Sequence, residues 1–316
     1  MADFSRRHLF GAAAATFAFA PGLARAAAVA PLATTPTDAV QGAADFQDRL
    51  TVTTTINGKG PFQFVVDTGA DRSVLSEDLG FALGLPPAED VIVQGIARAL
   101  PAHAVHLESL HFGRAALDDI VMPLLPRVWL GADGYLGLDV LENKRVTFDF
   151  QNHRMEVEVS DMRSHALYLD NDVLVRVSGE RGRLTAFDCA INDVSAYAFI
   201  DSGAQYSIGN GPLFAEMKKT GATFINPAPV PLIGVTGGAA YGSVTALKTM
   251  RLGPLRFAHG GLVISDLPVF DIWGLGDKPA VFLGMNLLKT MSSFSIDYGR
   301  KELRFRAPQI RLASRS

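Results

Sequence analysis

The chain has 316 residues, 48% of them apolar, with 29 Lys plus Arg against 32 Asp plus Glu and a single cysteine. That length and apolar share allow one large or two medium domains, and without clustered Lys and Arg the slightly acidic chain excludes recognition of nucleic acid or an anionic membrane face. Cys189 is alone, so no internal disulfide forms and the fold must rest on core burial. Nothing near it in sequence would activate a thiolate, and it reads as a small core hydrophobe.

Residues 1–26, "MADFSRRHLFGAAAATFAFAPGLARA", pair Arg6 with Arg7, continue into an Ala-rich apolar stretch and end in the small-residue site Ala24-Arg25-Ala26. The stretch is too short and too weakly apolar to span a bilayer. It reads as an export signal that leaves no membrane anchor after cleavage, against the plainer reading of an N-terminal helix. The arginine pair followed by Leu9 and Phe10 resembles the twin-arginine type of bacterial signal. That resemblance implies a periplasmic or secreted mature chain. Cleavage would remove three basic residues and one acidic residue, leaving the rest mildly acidic.

Beyond the signal the pattern is β. "LTVTTTINGKGPFQFVVD" alternates Thr and Val, breaks at Asn57-Gly58-Lys59-Gly60 and resumes at Phe62–Val66, the signature of a hairpin. Helical periodicity is scarce, and Gly and Pro punctuate apolar runs of strand length. An all-β architecture of many short strands is therefore expected.

The chain also repeats itself. "QFVVDTGADRSVLS" around Asp67 is echoed by "AFIDSGAQYSIGN" around Asp201, with Ile56-Asn57 and Ile191-Asn192 at corresponding places upstream. Downstream, Leu136-Gly137 matches Leu283-Gly284, Asp139 matches Asn286, Leu141 matches Leu288, and Phe148-Asp149-Phe150 matches Ile296-Asp297-Tyr298. Two similar halves imply two similar lobes: residues 27–160 and 161–316, divided in the polar stretch from Ser160 to Asp172.

A single Asp-Thr-Gly can be a turn, since Asp caps nearby amides and Gly accepts positive φ. Two such motifs in matching contexts point to chemistry. One carboxylate from each lobe, meeting at the interface, cannot both ionise; the pair shares a proton and offers an acid and a base at once.

These motifs resemble the aspartic peptidases of the pepsin and retropepsin clan, with Asp67 to Asp71, "DTGAD", nearer the retroviral branch. The resemblance extends over about residues 45 to 306. It implies a bilobal acid-protease fold of two β-barrel-like lobes, an extended peptide or protein substrate held in the cleft between them, no metal or cofactor, and a monomer, because one chain carries both lobes. It implies Asp67 and Asp201 as the catalytic pair, Thr68 and Ser202 as hydroxyls bracing the two loops, Gly69 and Gly203 as residues of a tight turn, and Gly137 and Gly284 as packing behind each loop. Hairpin flaps are expected between each Asp and its apolar-Gly motif: Gly95 and Ile96 in the first half, Gly237, Gly238 and Tyr241 in the second. Pepsin-like flaps carry their Tyr in the first lobe, so Tyr241 departs from that pattern and stands equally as a surface or core Tyr. Leu138 and Met285 replace the Arg common in retropepsins, which leaves Asp71 to neighbouring Arg72 or to solvent. Ala70 and Ala204 offer no side-chain hydrogen bond to the carboxylates, and a pH optimum less acidic than pepsin's is expected.

Other groups carry less. His103, His106 and His111 have no matching Cys and no obvious fourth ligand, and read as exposed or locally satisfied histidines rather than a metal site. The Gly-rich stretch 234–242 lacks the Gly-Lys-[Ser/Thr] ending of a phosphate loop. Glu142 and Asp149 are expected on solvated faces. Two functions fit: a periplasmic aspartic endopeptidase, or a catalytically silent peptide-binding or regulatory module on the same fold.

Overall fold

A computed structural model describes residues 8–10, 51–113, 115–160, 172–179, 184–225 and 228–308. Strands dominate it, and the protein is all-β, as the sequence pattern predicts. Apart from residues 8–10, the predicted export signal lies outside the described residues, as do residues 161–171 of the predicted boundary. His8–Phe10 adds a short parallel strand to the edge of Pro87–Gln94. Among the described residues no helix is long and apolar enough to cross a membrane.

The first lobe is a closed barrel of six strands. Thr51–Ile56, Lys59–Val66, Gly134–Leu136, Val74–Ser76, Ala115–Leu125 and Ala99–Phe112 follow one another around it, and the last pairs back to the first. Closure removes the free sheet edges that would otherwise invite pairing with other chains. The predicted hairpin turns at Asn57 and Gly58, both at positive φ, the requirement of the tight turn that matches strand twist. Burial alternates along Thr51–Ile56 and sends Val52, Thr54 and Ile56 into the barrel.

The second lobe repeats the plan with an open sheet. Tyr197–Ile200 pairs in parallel with Ala280–Leu283, as Lys59–Val66 does with Gly134–Leu136. The long hairpin Ala239–Leu252 with Leu255–Ile264 matches Ala99–Phe112 with Ala115–Leu125. The longest helix of each lobe among the described residues is still too short to announce itself by periodicity. Glu77–Leu83 is capped by Ser76, and Gly211–Lys219 by Asn210, whose side-chain oxygen accepts from the Leu213 amide at 3.1 Å.

A five-stranded antiparallel sheet joins the lobes, ordered Arg154–Val159, Lys144–Asp149, Ser293–Asp297, Glu302–Arg306, Asp172–Arg176. Its inner face is apolar: Phe148 stacks on Phe294 at 4.4 Å between ring centroids, and Phe294 on Phe305 at 6.1 Å. Val146, Ile296 and Leu303 extend this layer into a core shared by both lobes. Two strands of the first half and three of the second share one sheet, joined where Lys144–Asp149 pairs with Ser293–Asp297, which fixes the lobes against each other below the cleft.

Candidate active site

The two Asp motifs occupy equivalent corners. Val66 lies beside Leu136 in the first lobe and Ile200 beside Leu283 in the second. The chain leaves each buried strand at the Asp, whose amide still donates to that neighbour: Asp67 to Leu136 at 2.9 Å, Asp201 to Leu283 at 3.0 Å. The predicted glycines close in from behind. A Cβ on Gly137 would stand 2.6 Å from the Arg72 carbonyl carbon, and one on Gly284 would strike the Tyr206 carbonyl. After each glycine an amide donates back to the loop, Leu138 to Ala70 at 2.8 Å and Met285 to Ala204 at 2.9 Å.

Thr68 and Ser202 link the loops across the lobes. Each backbone amide donates to the other's hydroxyl, Thr68 to Ser202 Oγ at 3.2 Å and Ser202 to Thr68 Oγ1 at 2.9 Å. Each hydroxyl in turn donates to a carbonyl of the opposite strand, Thr68 to Ile200 at 2.9 Å and Ser202 to Val66 at 2.8 Å. Four buried hydrogen bonds thus set the spacing of the two corners.

That crossing brings the carboxylates together. Asp67 and Asp201 are buried, at 0% and 1% exposure. A Cβ on Gly69 would stand 2.8 Å from Asp201 Cγ, and one on Gly203 would lie closer still to the Asp67 carboxylate. Neither glycine is at positive φ. Both stand in tight turns, Ala70 donating to the Asp67 carbonyl at 3.4 Å and Ala204 to the Asp201 carbonyl at 3.3 Å, and the demand for glycine there comes from the other lobe's carboxylate, which fills the space of a side chain. Asp67 Oδ1 accepts from the Gly69 amide at 3.0 Å, while Asp201 Oδ1 accepts from both Gly203 and Ala204 at 3.0 Å. Ala204 thus offers its main chain where its side chain has nothing to give.

A second pair of braces supports each loop. Ser73 donates its amide and hydroxyl to Asp139 Oδ1, at 2.9 and 2.7 Å, and accepts from the Gly137 amide at 3.0 Å. In the second lobe Ser207 donates both groups to Asn286 Oδ1 at 2.9 Å and accepts from Gly284 at 3.0 Å. The Asp139–Asn286 match is visible in the sequence; the bracing it serves is not. A Ser six residues after each Asp was the available signal. Burial pushes the Asp139 carboxyl above the usual aspartate range, against the opposing pull of its bonds to Ser73 and the charge of Arg72.

The flap candidates stand at two hairpin tips that meet. Gly95 and Ile96 lie between Pro87–Gln94 and Ala99–Phe112; Gly237 and Gly238 lie between Val230–Ile233 and Ala239–Leu252. Arg98 Nε donates to the Thr236 carbonyl at 3.0 Å, and Thr236 Oγ1 donates to the Arg98 carbonyl at 3.1 Å. The Arg98 guanidinium also lies over Trp129, 5.4 Å from the ring centroid. Each tip buries an apolar residue in the other lobe's cluster: Ile96 joins Phe199, Leu232 and Val263, while Val235 joins Val65, Val93 and Tyr135. A side chain on Gly95 would strike Thr236, and one on Gly237 would come 2.7 Å from Trp129. Arg98, Trp129, Val235 and Thr236 escaped sequence reading because their partners lie in the other half of the chain. Tyr241 is 64% exposed on the hairpin strand opposite Pro231, away from the tip.

The remaining candidates lie elsewhere. Cys189 is buried and its thiol is pushed up to about 12, chiefly by burial. His103 contacts Asp90 at 3.0 Å, and the hydrogen bond to that carboxylate raises its pKa; His106 contacts Asp119. Among the described residues no group of His, Cys, Asp and Glu is arranged to hold a metal. Glu142 is exposed, whereas Asp149 is half-buried and accepts from Asn152.

No curated protein matches the chain in sequence. Among solved structures it matches a retropepsin-like aspartic protease from Rickettsia conorii at 16% identity and a TM-score of 0.29, over 43% of this chain and 90% of that one. Residues 52–140, which hold Asp67, Gly95 and Gly137, match the family model described as aspartyl protease.

Proposed function

We propose that the chain is an aspartic endopeptidase that hydrolyses peptide bonds with a water activated between Asp67 and Asp201, and that its N-terminal signal delivers it to the periplasm. The observation that carries the reading is the crossing of the loops, with each carboxylate lying against the other lobe's glycine. The family match over the first lobe supports it.

In the reaction one carboxylate, ionised, takes a proton from the water, while the other, protonated, donates a hydrogen bond to the scissile carbonyl oxygen. Water oxygen bonds to the carbonyl carbon while the second carboxyl passes its proton to the carbonyl oxygen, and a tetrahedral diol forms. The first carboxylate then returns its proton to the amide nitrogen, the C–N bond breaks as a diol hydroxyl gives its proton back to the second carboxylate, and a carboxylic acid and an amine leave. The rigid strand ends and the hydroxyl crossing hold the acid and base in register throughout. An extended peptide fits between the loops and the two hairpins, and the joined tips must part to admit it. The paired Arg6 and Arg7 and the Ala24-Arg25-Ala26 site support export of the folded chain.

The test is cleavage of an unfolded protein such as reduced casein from about pH 3 to 8, with Asp67→Asn and Asp201→Asn beside the parent. Cleavage by the parent and silence of both variants is expected. A parent that binds peptides without cutting them would replace the enzyme with a peptide-binding module.

A further inference from the structure

Below the loop crossing, between it and the interlobe sheet, lies a cavity of about 10 Å³, the space of a single water molecule. Thr68 and Ile200 line it from the loops, Phe199, Trp273 and Leu303 from the second lobe, and Tyr298 from the end of strand Ser293–Asp297. The Tyr298 ring is 8% exposed and its hydroxyl is fully buried, with no hydrogen-bond partner among the described residues. Burial, and after it the charges of Asp67 and Asp201, push this phenol upward, so it keeps its proton and remains a donor.

A buried hydroxyl that donates to nothing is rare in native interiors, and where the site is polar and roomy enough the usual remedy is ordered water. Both conditions hold here, because the phenol shares its cavity with the polar Thr68 loop. The repeat sharpens the point. Phe150 stands at the matching place in the first half, stacked on Phe148 and tilted against Phe294. The hydroxyl therefore has no counterpart in the first lobe and makes the surroundings of the dyad unequal.

We propose that this cavity holds one ordered water that accepts a hydrogen bond from the Tyr298 hydroxyl and donates to an oxygen of the Thr68–Ile200 crossing, making Tyr298 a positioning residue for the dyad. The inference rests on the endopeptidase reading above. The anchored donor stands within electrostatic reach of both carboxylates, and its dipole favours their singly ionised state. Asp67, Asp201 and Tyr298 are the charged or titratable groups at this point; the other lining side chains are apolar except for the Thr68 hydroxyl and the Trp273 indole. Asp139, the nearby buried carboxyl, is turned to Ser73 behind the first loop.

The experiment combines a crystal structure of the parent that resolves ordered waters with pH profiles of kcat/KM for the parent, Tyr298→Phe and Leu184→Phe. Leu184 also lines the cavity, and the larger ring at that place fills it while keeping the phenol. A water peak at hydrogen-bond distance from Tyr298 Oη is expected. In both variants the acid limb should move to higher pH by about half a unit, because losing the donor makes the first proton harder to remove. A dry cavity in the parent overturns the proposal, as does a Tyr298→Phe profile that overlays the parent's. If the parent and Asp67→Asn are both silent, the endopeptidase reading and with it the positioning role fall, while the crystal structure still decides the water site.

Discussion

Thr68 and Ser202 exchange hydrogen bonds symmetrically, each hydroxyl accepting the other's amide proton and donating to the strand that carries the other's Asp. Thr68→Ala would leave the Ile200 carbonyl and the Ser202 amide buried without these partners. A loss of about 2 to 4 kcal/mol is expected, read as a lower urea midpoint. Thr68→Ser should be nearly neutral, because Ser202 performs the same task in the second lobe. A Thr68→Ala variant as stable as the parent would show that the crossing contributes little to holding the lobes together.

Gly203→Ala should be more damaging to activity than its small size suggests. The added methyl would meet the Asp67 carboxylate, and in Gly69→Ala it would stand 2.8 Å from Asp201 Cγ. One loop must retreat, and a displacement of about 1 Å in a reacting group lowers rate on the order of 100-fold. The fall should appear in kcat, with Gly203→Ala the worse of the two. Equal activity in Gly203→Ala and the parent would mean that the carboxylates do not work at this spacing.

What the sequence discloses about this site follows from duplication. Asp67 and Asp201, Thr68 and Ser202, and Gly137 and Gly284 are legible because each occurs twice at matched spacing, and a pattern repeated in two halves needs no knowledge of the fold. Partners that occur once are hidden. Arg98 meets Thr236 across 138 residues, and nothing local in either hairpin marks the other as its neighbour. Tyr298 aligns with Phe150 as one more apolar position, since a hydroxyl's surroundings are not written in its spacing. Gly69 and Gly203 show the same limit: their motif announces the local turn, while the second constraint, the carboxylate of the opposite lobe, is invisible in it. The helices Glu77–Leu83 and Gly211–Lys219 span too few turns for an apolar period to stand out.

Arg98→Ala should loosen the joined tips without unfolding either lobe. It removes the bond to the Thr236 carbonyl and the contact with Trp129, together about 1 to 2 kcal/mol. Transient opening should become about 5 to 30 times more frequent. Hydrogen exchange at residues 94–99 and 233–239 should accelerate accordingly, with the global unfolding midpoint almost unchanged. Exchange rates equal to the parent's would mean that Ile96 and Val235, buried in opposite lobes, hold the tips without help.

Asp139→Asn should stabilise the protein at neutral pH, and the second lobe shows why the substitution is tolerated. Asn286 already occupies the matching place and accepts from Ser207 through its side-chain oxygen, so an Asn at 139 can accept from Ser73 in the same way. Burial raises the Asp139 carboxyl above its unfolded value, and the folded chain therefore holds this proton more tightly than the unfolded chain. Stability from this group is greatest at acid pH, below the unfolded value near roughly pH 4, and is lost as pH rises through the folded value. An Asn carries no such dependence. The gain of Asp139→Asn should be present at pH 7, shrink as pH falls, and vanish where the parent's carboxyl is protonated in both states. Urea unfolding of parent and variant at several pH values measures this directly. A gain independent of pH would place its cause in packing, and a loss at pH 7 would show that the bonds from Ser73 and the charge of Arg72 outweigh burial.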